Sequence, residues 1–492
     1  MGALDFSWYN EFTNYITILT YNKYPLYVAF IAMLLFMCNT MSRFVLIVTN
    51  VAMANEIHFG DKICRSVLSL DSFPPKADLC YSKPLLCDNT SGGKSNDCEW
   101  YYTGTGYEYQ LLAGPLFNII FSFSLVPMGI CLERNRNNRK TVIAYSAVLW
   151  SSMVLIGGLS TQYWHLALTR LAIAFFEAPF TAFAISLLSS YFTQELRAMA
   201  LSLFTSGIHF GFSMAFVIKI AANDLGWRAA YFVTGIPGLV LGLLAYITIR
   251  EPGKELAKGD PVINNRDKTI SKKSIDQTLT PAPLFNPLYI MIVLAAAARC
   301  GGGRMYSYNF HNYIQHYYPG YPTEHYLSWI PAVVGIFAST IGGIWADRKA
   351  ATSQGYKGRL KVLLLGVWLS VPSAVLALYM PPPWCFVMLL FGAFFHDLGG
   401  GIITTVLVEQ APAGRQTSAM TIFCFTINML GGNLVLLLPV FRALFGWLTS
   451  MLLLWPGAFA VSGTLFLWAL ILSDKRIIKK TDSNPNNHGI YV

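Results

Sequence analysis

Gly129-Ile130-Cys131-Leu132-Glu133-Arg134 is echoed 214 positions later by Gly343-Ile344-Trp345-Ala346-Asp347-Arg348. Both stretches read G-x-x-x-[DE]-R and run on into basic residues: Arg136, Arg139 and Lys140 after the first, Lys349, Lys357, Arg359 and Lys361 after the second. Each copy closes an apolar run long enough to cross a bilayer. A second echo follows, with Arg197-Ala198-Met199 and the stretch from Arg415 to Met420 lying 63 and 67 residues after Arg134 and Arg348. Duplication on this scale, in an apolar chain, is the mark of a transporter built from two repeats.

Composition agrees. Of 492 residues, 54% are hydrophobic and only 12% charged, about half the roughly 25% charged residues of soluble domains. The net charge of +10 does not point to nucleic acid, because the basic residues come in short bursts between apolar runs rather than on one exposed face. A bilayer core of about 30 Å needs about 20 apolar residues per helical crossing. Twelve stretches qualify, near 27–50, 109–131, 141–160, 163–188, 199–219, 229–249, 287–314, 326–346, 361–380, 384–408, 418–440 and 448–472. The expected fold is therefore an all-α membrane protein with twelve transmembrane helices in two pseudo-symmetric six-helix bundles, 1–249 and 287–473, followed by a tail at 474–492. The first apolar run is long enough to span and carries no cleavage site, so it reads as a span rather than a signal peptide.

An even number of spans places both termini on one side, and the positive-inside rule makes that side cytoplasmic. In that orientation the inner segments hold 23 Lys and Arg. Residues 250–286 then form a polar cytoplasmic linker, and 51–108 form the one large outer loop. That loop carries Cys64, Cys80, Cys87 and Cys98, read as two disulfides with three possible connectivities. It also carries Asn89-Thr90-Ser91, a glycosylation sequon on the side where glycosylation occurs.

The doubled signature loop resembles that of the major facilitator superfamily, and the likeness covers nearly the whole chain. Within that superfamily the sequence is most similar to the spinster-type lipid transporters, with organic-anion transporters next. Asn39-Thr40-Met41-Ser42-Arg43 is similar to the family's Asn-Tyr-x-Asp-Arg in span one. Arg170 with Glu177-Ala178 reproduces Arg-x6-Glu-Ala in span four, and Gly226-Trp227-Arg228 leads into span six. Two departures stand out: Ser42 occupies the position of the usual Asp, and the first signature loop is two residues longer than usual. The resemblance implies the major facilitator fold, a substrate cavity between the halves, and signature loops that act as cytoplasmic latches through Glu133, Arg134, Asp347 and Arg348.

Ionisable groups inside a span cost several kcal/mol unless paired or hydrated, so each is a functional candidate. The chain offers Arg43, Arg170, Glu177, Lys219, Arg299, Arg304, His396 and Asp397. Lys219 and Arg304 fall near span ends, where snorkelling accounts for them. Arg170 and Glu177 lie two turns apart on one helix face, where they either neutralise one another or serve the cargo. Span seven is read as interrupted at Cys300-Gly301-Gly302-Gly303-Arg304, and span ten carries His396-Asp397-Leu398-Gly399-Gly400-Gly401. Gly-interrupted helices in corresponding places point to a binding site, although glycines also serve close packing.

Arg43, Arg170, Arg299, Tyr306, Tyr308 and Asn39 are thus the substrate-binding candidates. Glu177, Asp397 and His396 are the proton-coupling candidates. A carboxylate beside an arginine is balanced between burial, which favours its proton, and the guanidinium, which favours its charge. The cationic balance suggests an anionic head, since a desolvated arginine pairs best with carboxylate or phosphate; the aromatics suit an apolar tail. The expected function is rocker-switch transport of an anionic amphiphile, a lysophospholipid or sphingoid phosphate. The alternatives are a small organic anion, sugar acid or phosphate ester, and a non-transporting sensor or scaffold. No nucleophile–base pair, metal cluster or phosphate-binding loop stands out, so no enzyme activity, cofactor or metal is expected. A small-molecule or lipid substrate and the surrounding membrane lipids are the expected partners. The protein is expected as a monomer in the plasma membrane or late endosome/lysosome, with no nucleic acid.

Overall fold

In a bilayer every backbone polar group must find its partner within the protein, which leaves long helices as the only way for these apolar runs to cross. A computed structural model describes residues 23–66, 98–134, 138–192, 194–222, 225–251, 286–352, 355–410 and 416–482. Cys80, Cys87, Asn89, nearly all of the linker and the end of the tail lie outside them.

The first half consists of α1 (Lys23–Ile57), a hairpin of β1 (Lys62–Ser66) and β2 (Cys98–Tyr102), then α2 (Tyr107–Ala113), α3 (Pro115–Arg134), α4 (Arg139–Gly158), α5 (Tyr163–Tyr191), α6 (Gln194–Ala222) and α7 (Gly226–Thr248). The second half holds α8 (Pro287–Tyr317), α9 (Thr323–Leu327), α10 (Ile330–Thr352), α11 (Tyr356–Tyr379), α12 (Trp384–Asp397), α13 (Gly400–Gln410), α14 (Gln416–Thr426), α15 (Leu437–Leu454) and α16 (Pro456–Asp482). The hairpin is antiparallel, with Lys62 opposite Tyr102 and Ser66 opposite Cys98.

Eleven described stretches are long and apolar enough to span. The last of them, Ala419–Ser473, has 55 residues, roughly 80 Å of helix at 1.5 Å per residue, and it turns at Gly446, whose φ of 77° leaves the helical region. It therefore supplies two crossings, and the twelve-span architecture holds.

Span seven corrects an expectation. Its glycines do not interrupt it: α8 runs unbroken for 31 residues, started by the Asn286 side chain accepting from Leu288 N with Pro287 in the first turn. Gly301 and Gly302 are packing positions instead. A Cβ at Gly302 would lie 2.7 Å from the Phe459 ring and 2.9 Å from the Trp455 carbonyl. The breaks fall in span ten, between α12 and α13 at Leu398-Gly399, and in span eleven. There a π-helical turn over Ile427–Gly431 and a 3-10 turn over Leu434–Leu436 separate α14 from α15. In the first half the close approach belongs to Gly207 and Gly211 of α6, where added Cβ atoms would sit 2.7 Å and 2.4 Å from the Met33 and Met37 carbonyls of α1. This G-x-x-x-G spacing brings two backbones together.

The buried apolar residues form two clusters. One fills the first half and continues across the hairpin end of the second half through Tyr308, Phe310, Tyr313 and Phe386. The other, around Leu288, Ile292, Leu363, Val406 and Phe466, is confined to the opposite end of the second half. Among the described buried residues, the core that the two halves share lies toward the hairpin end.

Candidate functional site

Below that shared core lies a cavity of about 460 Å³, lined from spans one, five, seven, eight, nine, ten, eleven and twelve. Its charged and imidazole-bearing lining residues are Arg43, Arg299, Arg304, His209, His396 and Asp397; Arg304, expected to snorkel near a span end, instead stands well inside α8 on the cavity wall. Most of the remainder is apolar or aromatic, including Phe36, Phe44, Phe212, Phe423, Trp455 and Phe459. Hydroxyl groups come only from Thr40, Ser307, Ser370, Thr404 and Tyr306 among the lining residues.

Span one meets span four behind this wall. Arg43 Nε lies 2.7 Å from Glu177 Oε2, and Ser42 Oγ lies 2.8 Å from Glu177 Oε1 and 2.6 Å from the Asn39 carbonyl. Glu177 is fully buried, so the carboxylate reaches the cavity only through Arg43, whose guanidinium sits 4.7 Å and 4.9 Å from the Phe117 and Phe121 rings. The sequence reading coupled Glu177 to Arg170, yet the structure gives its hydrogen bonds to Arg43 and Ser42. Arg170, 3% exposed, is occupied elsewhere. Its three nitrogens donate to the carbonyls of Leu112, Ser42 and Arg43 at 3.4, 3.1 and 2.9 Å. It ties span four to span one and to α2, and is not among the lining residues.

The second half supplies a more open polar group. Arg299 donates through Nη2 to the His396 carbonyl, while its Nε, His396 Nε2 and Tyr306 Oη are buried without a hydrogen-bond partner. His396 Nδ1 lies 3.0 Å from Asp397 Oδ1, and the imidazole stacks on Phe459 with ring centroids 4.9 Å apart. An unpaired buried polar atom costs about 1–3 kcal/mol, so this corner holds hydrogen-bonding capacity that a ligand group can satisfy. The remaining candidates fall away from it. Tyr308 is buried in the contact between halves, its carbonyl accepting from Tyr109 Oη at 2.8 Å. Asn39 is wholly buried, with both side-chain amide atoms unpartnered, and does not line the cavity.

Two histidines escaped the sequence reading. His209, in the run Ile208-His209-Phe210 of α6, faces Asp397 across the halves with Nδ1 3.8 Å from Oδ2. His311 is buried on α8, with Nε2 3.0 Å from Lys219 Nζ. Both imidazoles sit inside apolar spans, the same signal that singled out the arginines.

Toward the hairpin end a series of hydrogen bonds joins the halves. Besides Tyr109–Tyr308 and Lys219–His311, Gln110 meets Asn309 at 2.5 Å, Asn50 meets Asn312 at 2.9 Å, Asn118 Nδ2 donates to the Gly432 carbonyl at 2.9 Å, and Ala332 N donates to Ser213 Oγ at 3.1 Å. Arg442, at the turn between spans eleven and twelve, pairs with Asp61 beside β1 and reaches Thr105 Oγ1 at 3.1 Å. The signature motifs lie at the other end: Glu133 and Arg134 close α3, and Asp347 and Arg348 lie in α10. The side chains of Glu133, Arg134 and Asp347 are outside those described. Of the outer-loop cysteines, Cys64 is disulfide-bonded.

A family model described as Major Facilitator Superfamily matches residues 32–436. The sphingosine-1-phosphate transporter SPNS2 of Danio rerio is 29% identical over 122 residues, 24% of each chain, so the match spans about a quarter of that relative. The probable galactarate/D-glucarate transporter GudP of Bacillus subtilis is 22% identical over 406 residues, 75% of this chain and 85% of that one. Among solved structures, an inward-facing, unoccupied bacterial homolog of the human lysosomal transporter spinster superposes with a TM-score of 0.65 at 16% identity, over 91% of this chain and 97% of that one. The inward-open xylose transporter XylE from E. coli gives a TM-score of 0.61 at 13% identity, over 91% and 95%.

Proposed function

We propose, from the premise that this chain belongs to the major facilitator superfamily, that the cargo of this multi-pass membrane transporter is an anionic amphiphile, a single-chain lipid phosphate fitting best. The observation that carries this reading is the cavity lining. Three arginines and two histidines face one carboxylate there, on walls that are otherwise mostly apolar. Arginine pairs with phosphate or carboxylate through a planar fork, and the aromatic walls supply apolar contact for a tail.

The head is taken by Arg43 from the first half and by Arg299, Tyr306 and His396 from the second. Sphingosine-1-phosphate in one relative's name and galactarate and D-glucarate in another's are all anions, which agrees with that head. GudP, matched over most of its length, favours the second reading, a small sugar acid. Against it stands the scarcity of hydroxyl and amide groups in the lining, because a sugar acid left without partners for its hydroxyls loses their hydration for no return.

Transport proceeds by rocking of the halves around this site. Closure at the hairpin end and the basic loops at the other end give an inward-facing form, with both termini cytoplasmic. An anionic head arriving at Arg43 competes with Glu177 for the guanidinium and frees that carboxyl to take a proton, which makes Glu177 the coupling site. The protein acts as a monomer, in the plasma membrane or the late endosome and lysosome.

Competition binding to the purified full chain in nanodiscs tests the cargo class. Lysophosphatidates of increasing chain length should bind progressively tighter, and galactarate should compete poorly. Galactarate binding that exceeds every lysophosphatidate would replace the lipid reading with the sugar-acid one.

A further inference from the structure

Among the described residues, His209 is the one histidine that the first half brings to the cavity wall, and its position is narrowly fitted. It stands on α6 opposite Gly335 of α10, where an added Cβ would lie 2.2 Å from His209 Nδ1. Any larger residue at 335 displaces the imidazole. Its Nδ1 faces Asp397 Oδ2 at 3.8 Å, longer than a hydrogen bond, so the contact joins the halves without holding them tightly. Asp397 is also approached by His396 Nδ1 at 3.0 Å, and Arg299 is bound to the His396 carbonyl. One carboxylate of the protein thus sits amid two imidazoles and a guanidinium, the donors an anionic head would seek.

We propose that His209 is a cargo residue contributed by the first half, and that the cargo's phosphate or carboxylate takes the place of Asp397 beside His209, His396 and Arg299. This rests on the anionic-cargo reading and adds to it a site shared between the halves, with an internal competitor. An imidazole donates an N–H in either protonation state, so His209 serves an anion without first having to gain a charge. Replacing Asp397 draws the cargo into contact with spans five, seven and ten together. Occupancy of the cavity is thereby felt by both halves.

The test is binding of a lysophosphatidate to the full-length protein in nanodiscs. Asp397→Asn removes the competitor and should tighten binding several-fold while slowing transport. His209→Ala should weaken binding by about tenfold, the worth of one charge-assisted hydrogen bond. Gly335→Ala, which changes no charge, should weaken it in the same direction by pushing His209 aside. Wild-type affinity in both His209→Ala and Gly335→Ala overturns the assignment of His209, and unchanged or weaker binding by a folded Asp397→Asn overturns the competitor role. Should Asp397→Asn fail to fold, the other two variants still decide on His209. A wild-type protein that binds no lysophosphatidate overturns the anionic-lipid reading itself, a result distinct from variants that merely match a binding wild type.

Discussion

At the scale of single residues, the two arginines that the sequence offered as equals have different tasks. Arg43 faces both ways, toward the cavity and toward a fully buried Glu177. Removing one partner of a buried pair costs about 3–5 kcal/mol, because the other charge is left uncompensated. Arg43→Ala should therefore lower the melting temperature and abolish cargo binding. Adding Glu177→Gln should restore the stability and leave binding absent, and recovery of both together would show that Arg43 does not touch the cargo. Arg170→Ala should instead fail at folding, since its nitrogens tie span four to three backbone carbonyls; normal expression with selective loss of binding would return it to the cargo site. That Arg43, Arg299, His396 and Asp397 deserved notice was legible because charge inside an apolar span demands a reason, and all four line the cavity. Whether a guanidinium answers a carbonyl, a carboxylate or a ligand depends on which helices meet, and no spacing along one helix states that.

At the scale of elements, periodic apolar runs made the spans legible, and local backbone events were not. The glycines of span seven read as a break and proved to be a packing face, because Phe459 and Leu434 come from distant sequence to fill the space. The π-helical turn in span eleven left no sequence mark. The glycines can be sorted by experiment. An added Cβ at Gly431 would lie 2.4 Å from the Ala297 carbonyl, whereas nothing lies within 4 Å of one at Gly400 or Gly401. Gly431→Ala should reduce the melting temperature of the purified protein. Gly401→Ala should raise or preserve it, by up to about 1 kcal/mol of helix propensity. Equal effects would mean that packing does not govern these sites. The outer loop offers a second check: mass spectrometry of non-reduced peptides should find two disulfides among Cys64, Cys80, Cys87 and Cys98 and a glycan on Asn89. Four free thiols would refute it.

At the scale of the whole molecule, two six-helix halves meet at the hairpin end and leave a cation-rich, apolar-walled cavity beyond the seal. Arg442, paired with Asp61, fastens the hairpin of the first half to the second. Arg442→Ala should loosen that closure, seen as faster labelling of residues of the seal by an impermeant thiol reagent once cysteines are placed there, for example at Asn50. Unchanged labelling would make the pair incidental. The repeat and the twelve crossings could be read from the chain; the cavity lining could be read only in part, since span four with Arg170 and Glu177 stays behind the wall and span five brings His209 to it. The state in which the halves are caught could not, since it depends on contacts hundreds of residues apart. Coupling belongs to this scale too. An imposed pH gradient should drive uptake in the wild type and lose its effect in Glu177→Gln with binding retained, whereas gradient-independent wild-type uptake ends the coupling role.

The anionic-head assignment is tested by uptake into proteoliposomes of two single-chain lipids that share one tail, one ending in a phosphate and the other in a trimethylammonium group. The cavity predicts saturable uptake of the phosphate, lost in the Arg299→Ala variant, and none of the cation. Uptake of the cation without the phosphate would show that the cavity does not select an anionic head.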